Sequence, residues 1–173
     1  VHMDVKAHLI EALRREFRSL LGENPKEFHH FVRIVNDKAF DRLVGYLEGA
    51  DVLFGGEHDK SDRYIAPTII DNVAPESPIM QEEIFGPIFP IVTFSETEEA
   101  IDFVNKREKP LALYYFGDNK TAKHLLRHTS SGGACVNDTI MHIANERLAF
   151  GGVGNSGMSS YHGKESVDVF SHR

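Results

Sequence analysis

The chain has 173 residues, 41% of them apolar and 26% charged, and its 19 Lys and Arg against 26 Asp and Glu leave a formal net charge of −7. This is enough apolar material for one folded core and too hydrophobic a composition for disorder, and the length favours a single domain over residues 1–173. The acidic balance excludes a surface built to grip nucleic-acid phosphates, no run approaches the ~18 apolar residues that span a bilayer, and the lone Cys135 cannot form an internal disulfide, so a reducing compartment, the cytoplasm, is expected.

Leu9, Leu13, Phe17, Leu20 and Leu21 recur at helical spacing, which predicts a first helix with Asp4 at its N-cap and Gly22 at its stop. A second helix is expected from Asn36 or Asp37, carrying Phe40, Leu43, Val44 and Leu47 and ending at Gly49. Asp51 to Phe54 reads as a short strand broken by Gly55-Gly56. Arg63 to Asp71 is β-branched and strand-like, with Pro67 marking an edge or a bulge, and Ile88 to Phe94 predicts another strand. Ser95 with Glu98 three residues later fits a capping box for a helix over 96–107, whose apolar face is Ala100, Ile101 and Val104. The continuous run Leu111 to Phe116 predicts a buried strand, Asn119 to His128 a helix, and Gly133 to Asn137 a strand. A glycine-rich segment from Gly151 to Gly163 then leads into a short terminal helix. The alternation of strands and helices across 88–137 predicts an α/β fold with an open, mostly parallel sheet and flanking helices.

Residues 152–157 spell G-x-G-x-x-G, but a dinucleotide fold needs a helix directly after the glycines and an acidic residue about 20 positions on. Too few residues follow Gly157 here, so a tight glycine-rich turn is the better account. Gly163-Lys164 is followed by Glu165 where a Walker A loop needs Ser or Thr. His124 and His128 share one helix face, but Leu125 stands where a zincin carries its glutamate and no third ligand is near, so no metal site is expected. Cys135, in mid-strand, reads as a small buried hydrophobe rather than an activated nucleophile. The most informative stretch is Gln81-Glu82-Glu83-Ile84-Phe85-Gly86-Pro87. It is either an acidic surface turn or a rigid loop whose carboxylate accepts hydrogen bonds from a ligand's hydroxyls, and composition does not choose between them.

EEIFGP at 82–87 resembles the cofactor-ribose motif of the aldehyde dehydrogenase superfamily. Lys109-Pro110-Leu111-Ala112-Leu113, SSGG at 130–133, Val136-Asn137-Asp138-Thr139, FGGVGNSGM at 150–158 and YHGKES at 161–166 are similar to the class 3 branch, which includes fatty-aldehyde and dimeric members. The resemblance covers nearly the whole chain, most firmly residues 63–173. It implies an incomplete catalytic α/β domain, from just after the nucleophilic cysteine onward. The Gly-Gln-x-Cys nucleophile motif does not occur in these residues, and the family's general-base glutamate, oxyanion-hole asparagine and cofactor domain lie upstream in complete members. A fragment inactive by itself is therefore expected, with no catalytic residue assigned within it.

The chemistry implied for the complete enzyme is oxidation of an aldehyde to a carboxylic acid with NAD or NADP: a cysteine thiolate attacks the carbonyl, hydride leaves to the cofactor, and water hydrolyses the thioester. Glu83 matches the glutamate that accepts hydrogen bonds from the nicotinamide-ribose hydroxyls, and Phe85 the aromatic packed by that ribose. Ile140, Ile143 and Phe150 match positions lining the aldehyde channel, whose apolar wall would favour medium or long aliphatic and aromatic aldehydes, while Asn137 and His162 match positions near the site. Ala149 departs from the proline that class 3 members usually carry there, which leaves the orientation of Phe150 open. The implied partners are an aldehyde substrate and a second copy in a homodimer, with no nucleic acid and no membrane contact by this segment. The alternative is a non-catalytic α/β domain for binding or assembly, in which the acidic turn is structural.

Overall fold

Pro67 and the pair Gly55-Gly56 decide how the β-branched part of the chain pairs. The computed structural model describes residues 1–172, which form two compact units, one over residues 1–95 and one from Glu96 onward. In the first unit, α1 (Lys6–Leu21) and α2 (Asp37–Gly45) precede β1 (Asp51–Phe54), β2 (His58–Asp59), β3 (Tyr64–Ile65), β4 (Thr68–Asp71) and β5 (Ile88–Pro90). The expected strand over 63–71 is two strands split at Ala66-Pro67, since proline donates nothing to a ladder. β4 is the middle of a three-stranded sheet, antiparallel to β1 and parallel to β5, with Thr68 opposite Ile88 and Ile70 opposite both Val52 and Pro90. The β1–β4 register shifts between Val52 and Phe54. Gly55, at φ 74°, passes so close to the Pro67 carbonyl that a side chain has no room there.

The core of this unit is α2 on the sheet. Leu43 is 0% and Phe40 2% exposed, and they pack with Ile34, Ile65, Ile70, Ile79 and Ile88. Buried Thr68 is satisfied, its hydroxyl donating to the Ala66 carbonyl and accepting from the Gly56 amide. α2 begins where the sequence says: the Asn36 side chain accepts from the Ala39 amide at 2.8 Å. Asn36→Ala is expected to cost about 1 kcal/mol, read as a lower urea midpoint, because it orphans that first-turn amide.

Two local expectations are corrected here. Asp4 does not cap α1; it lies in a single turn over Met3–Val5, where the His2 ring accepts from its amide. The start of α1 is displaced because residues 1–3 run alongside residues 92–94, with Val1 donating to the Val92 carbonyl and Met3 to the Phe94 carbonyl. For the same reason the strand expected over 88–94 is a strand only to Pro90: Ile91 still donates to the Ile70 carbonyl, and residues 92–94 pair with the N-terminal segment. Gly22 does stop α1, at φ 77°.

The second unit holds α3 (Thr97–Asn105), β6 (Ala112–Tyr115), α4 (Asn119–His128), β7 (Gly133–Val136), α5 (Met141–Ala144) and α6 (Gly163–Val169). β6 and β7 are parallel, with Ala112 opposite Gly133 and Tyr115 opposite Val136, and α4 is their crossover. Asp118 caps α4 by accepting from the Thr121 and Lys120 amides; the bond from Thr121 above all holds its carboxyl below the usual range. The helix start expected at Ser95 and Glu98 lies one residue later. Glu96 occupies the N-cap of α3 with no side-chain cap, and Glu98 meets His124 of α4 at 2.9 Å.

The α/β class and the open sheets are as expected, but β5 pairs with β4 while β6 and β7 form a sheet of their own. Among the described residues no helix is long and apolar enough to cross a membrane.

Candidate functional site

The acidic turn is built from α2 upward. Arg42 Nη2 donates to the Ile84 carbonyl at 2.7 Å and Nη1 to the Glu83 carbonyl at 3.4 Å. One helical turn on, the Tyr46 hydroxyl accepts from Arg42 at 2.8 Å and donates to Glu82 Oε1 at 2.5 Å. Burial, and then the bond to Glu82, push the Tyr46 phenol up from its ordinary range. Glu82 is thus engaged internally, with Arg42 also 3.7 Å from its carboxylate. Glu83, its neighbour, is exposed, and its carboxylate has no partner among the described residues. Phe85 is 75% exposed and sits at φ 51°, in the left-handed region. Gly86 lies flat on Leu43, since a Cβ there would come within 2.6 Å of a Leu43 methyl. A free carboxylate can accept both O–H donors of a vicinal diol, and an adjacent bare ring can pack a sugar or a flat heterocycle. These residues therefore suit a ligand that carries a diol beside a flat ring.

The other candidate residues gather at the C-terminal end of β7 and the loops beyond it. The Asn137 amide group spans to the end of β6, accepting from the Gly117 amide at 2.8 Å and donating to the Gly117 carbonyl at 3.0 Å. Ile140 is 61% and Ile143 36% exposed, flanking the start and middle of α5. Phe150 is held despite Ala149 by a two-bond antiparallel bridge to Tyr161, both bonds 2.9 Å. Its ring lies 5.6 Å from Tyr161, 5.7 Å from His142 and 6.2 Å from His162. His162, at φ 80°, has its Nδ1 buried without a partner among the described residues. Among the described residues seven non-glycine residues take positive φ, and four of them are Phe85, Asn137, Ile140 and His162, which the sequence had singled out. For the β-branched Ile140, at φ 65°, such a conformation costs about 1–3 kcal/mol.

Other motifs fall into place as structure. In residues 152–157 the Ser156 hydroxyl bonds both the amide and the carbonyl of Val153, and Gly152 packs against the Ser156 carbonyl so closely that a side chain would collide. These glycines let the backbone approach itself. His128 Nδ1 is bonded to the His124 carbonyl, and among the described residues no cluster could hold a metal ion. Cys135 stands in mid-strand as expected, but it is half-buried rather than buried, with Sγ 3.6 Å from His142 Nδ1.

Sequence reasoning missed Arg42, Tyr46 and His142. Periodicity marks only the apolar face of α2, and the polar contacts of Arg42 reach residues 41 and 42 positions away.

The family model "Aldehyde dehydrogenase family" matches residues 1–173. The dimeric NADP-preferring aldehyde dehydrogenase of Rattus norvegicus is 51% identical over 170 residues, covering 98% of this chain and 38% of its own length. The 4,4'-diaponeurosporen-aldehyde dehydrogenase of Staphylococcus aureus is 48% identical over 175 residues, covering 99% and 38%. A substrate-bound structure of Staphylococcus aureus AldH superimposes with a TM-score of 0.94 at 48% identity, over 99% of this chain and 38% of that one. The chain thus spans 38% of the length of these relatives.

Proposed function

The chain belongs to the aldehyde dehydrogenase family, and from that premise we propose that it serves as the cofactor-ribose and aldehyde-channel part of an NAD- or NADP-dependent enzyme that oxidises aldehydes to carboxylic acids. The observation that carries this reading is the contrast between two adjacent carboxylates: Glu82 is taken up by Tyr46 and Arg42, while Glu83 is left exposed and unpaired among the described residues. Glu83 accepts hydrogen bonds from the ribose hydroxyls, and Phe85 packs beside them. When bound, the cofactor supplies the hydride acceptor.

Ile140, Ile143 and Phe150 form the apolar wall along which a medium or long aliphatic or an aromatic aldehyde is admitted. Asn137, bonded to the Gly117 backbone, and His162, whose ring lies 6.2 Å from that of Phe150, stand near that wall. The left-handed conformations at Phe85, Asn137, Ile140 and His162 support the assignment, because strained residues gather where function demands a fixed geometry. The names of the rat and Staphylococcus aureus relatives support a homodimer, NADP use and an aldehyde substrate for the whole enzyme.

The direct test has two arms. The full-length enzyme carrying this segment is expected to reduce NAD(P)⁺ in the presence of hexanal or benzaldehyde, followed by absorbance of the reduced cofactor. The 173 residues alone are expected to give no turnover, since their sequence contains no Gly-Gln-x-Cys nucleophile motif. Turnover by the short chain that Cys135→Ser abolishes would reassign the nucleophile to Cys135.

A further inference from the structure

We propose that Arg42 and Tyr46 of α2 are positioning residues that hold the Glu83–Phe85 turn in the conformation that receives the cofactor. The inference rests on the assignment of Glu83 to the ribose and extends it to side chains that touch no cofactor.

The turn contains a residue that would not keep its conformation unaided. Phe85 is held at φ 51° with its ring largely in solvent, so its own side chain supplies little packing to offset the strain. A strained residue persists only where its surroundings over-determine it. The anchors lie on both sides of it, and both come from α2. On the N-terminal side the Arg42 guanidinium donates to the carbonyls of Glu83 and Ile84. These are charge-assisted bonds from a planar fork, which fix direction as well as distance. On the C-terminal side Gly86 rests on Leu43, the fully buried neighbour of Arg42.

The fork itself is held by Tyr46. Its hydroxyl accepts from Arg42, and the Arg42 guanidinium carbon lies 5.4 Å from the ring centroid. The same hydroxyl donates to Glu82, so one phenol fixes the arginine and occupies the carboxylate that would otherwise compete for it. The Arg42–Glu82 ion pair at 3.7 Å, with Glu82 half-exposed, adds little by itself. The direction of the guanidinium is what matters: aimed at main-chain carbonyls, it leaves the Glu83 carboxylate unpaired and free for an external donor. An arginine released from Tyr46 and Glu82 could fold onto Glu83 and neutralise it.

The experiment is a double-mutant cycle in the full-length enzyme, with Arg42→Met, Glu83→Gln and the pair, reading both the NADP⁺ KM and the dissociation constant of NADPH from its fluorescence on binding. Arg42→Met is expected to raise both roughly fivefold when Glu83 is present and by less than about twofold in the Glu83→Gln background, because coupled residues are not additive. Apparent kcat is expected to change less than KM. In the cofactor-free enzyme, amide hydrogen exchange at Glu83 to Gly86 is expected to quicken with Arg42→Met, while exchange in the β4 amides stays as it was. Arg42→Lys, which keeps the charge without the fork, is expected to resemble Arg42→Met. Tyr46→Phe, a milder change that preserves the core, is expected to give a smaller effect of the same kind and serves if Arg42→Met does not fold.

Equal effects of Arg42→Met in both backgrounds, or unchanged exchange over 83–86, would overturn the positioning role. A silent Arg42→Met beside a strong Glu83→Gln would overturn it while leaving the ribose assignment intact. A silent Glu83→Gln would remove the ribose assignment itself, and the positioning role with it.

Discussion

Glu83→Gln is expected to raise the cofactor KM, or slow hydride transfer, roughly tenfold or more, while Glu82→Gln changes either by a clearly smaller factor. Hydrogen bonds to a charged carboxylate contribute about 1.5–3 kcal/mol each, and the amide keeps the shape while removing the charge. Losing about 1.4 kcal/mol of that is a tenfold change. The structure gives a reason for the asymmetry. The Glu82 carboxylate accepts from the Tyr46 hydroxyl at 2.5 Å, a bond a glutamine oxygen can keep, and its ion pair with Arg42 is half-exposed and weak. The Glu83 carboxylate has no partner among the described residues, so its substitution leaves the fold alone and removes only what the carboxylate offers outward. Steady-state kinetics with varied NAD⁺ and NADP⁺ at saturating aldehyde make the comparison. A generic acidic turn would respond equally at the two positions, and that result would send the ribose contact elsewhere.

The largest stability effect is expected at Leu43. Leu43→Ala removes a side chain that is 0% exposed and packed among Phe40, Ile65, Ile70, Ile79 and Ile88, so it leaves a cavity that the sheet beneath cannot close. Such truncations cost about 2–5 kcal/mol. For a chain of this length that lowers the melting temperature by roughly 5–15 °C. Val32→Ala is the control: Val32 is 83% exposed, and its loss is expected to stay within about 0.5 kcal/mol. Urea and thermal unfolding followed by circular dichroism read both. The Leu43 variant also removes the surface on which Gly86 lies, so it should loosen the acidic turn as well as the core. A Leu43→Ala protein as stable as the Val32 variant would show that α2 is not the element that organises this unit.

Several features are settled within a few residues of where they act, and the sequence by itself determined them. Asn36 and Asp118 cap α2 and α4 because a short polar side chain reaches an amide two or three positions on, whatever lies beyond. Gly22 ends α1 and Gly55-Gly56 ends β1 because only glycine takes those φ values freely. The motifs from EEIFGP to YHGKES carry the family, and the family model matches the same chain.

Only the tertiary structure decided which partners distant groups find. β5 pairs with β4 rather than with β6, residues 92–94 are taken by the N-terminal segment, and β6, read from its apolar run as buried, has no buried residue, because a strand's pattern shows neither its partner nor what covers it. The Glu98 carboxylate finds His124, 26 positions away. Above all, Glu82 and Glu83 are the same letter side by side. One is engaged and the other free because Arg42 and Tyr46 fold back onto the turn from a helix some 40 residues earlier, and a carboxylate's chemistry depends on which donors reach it.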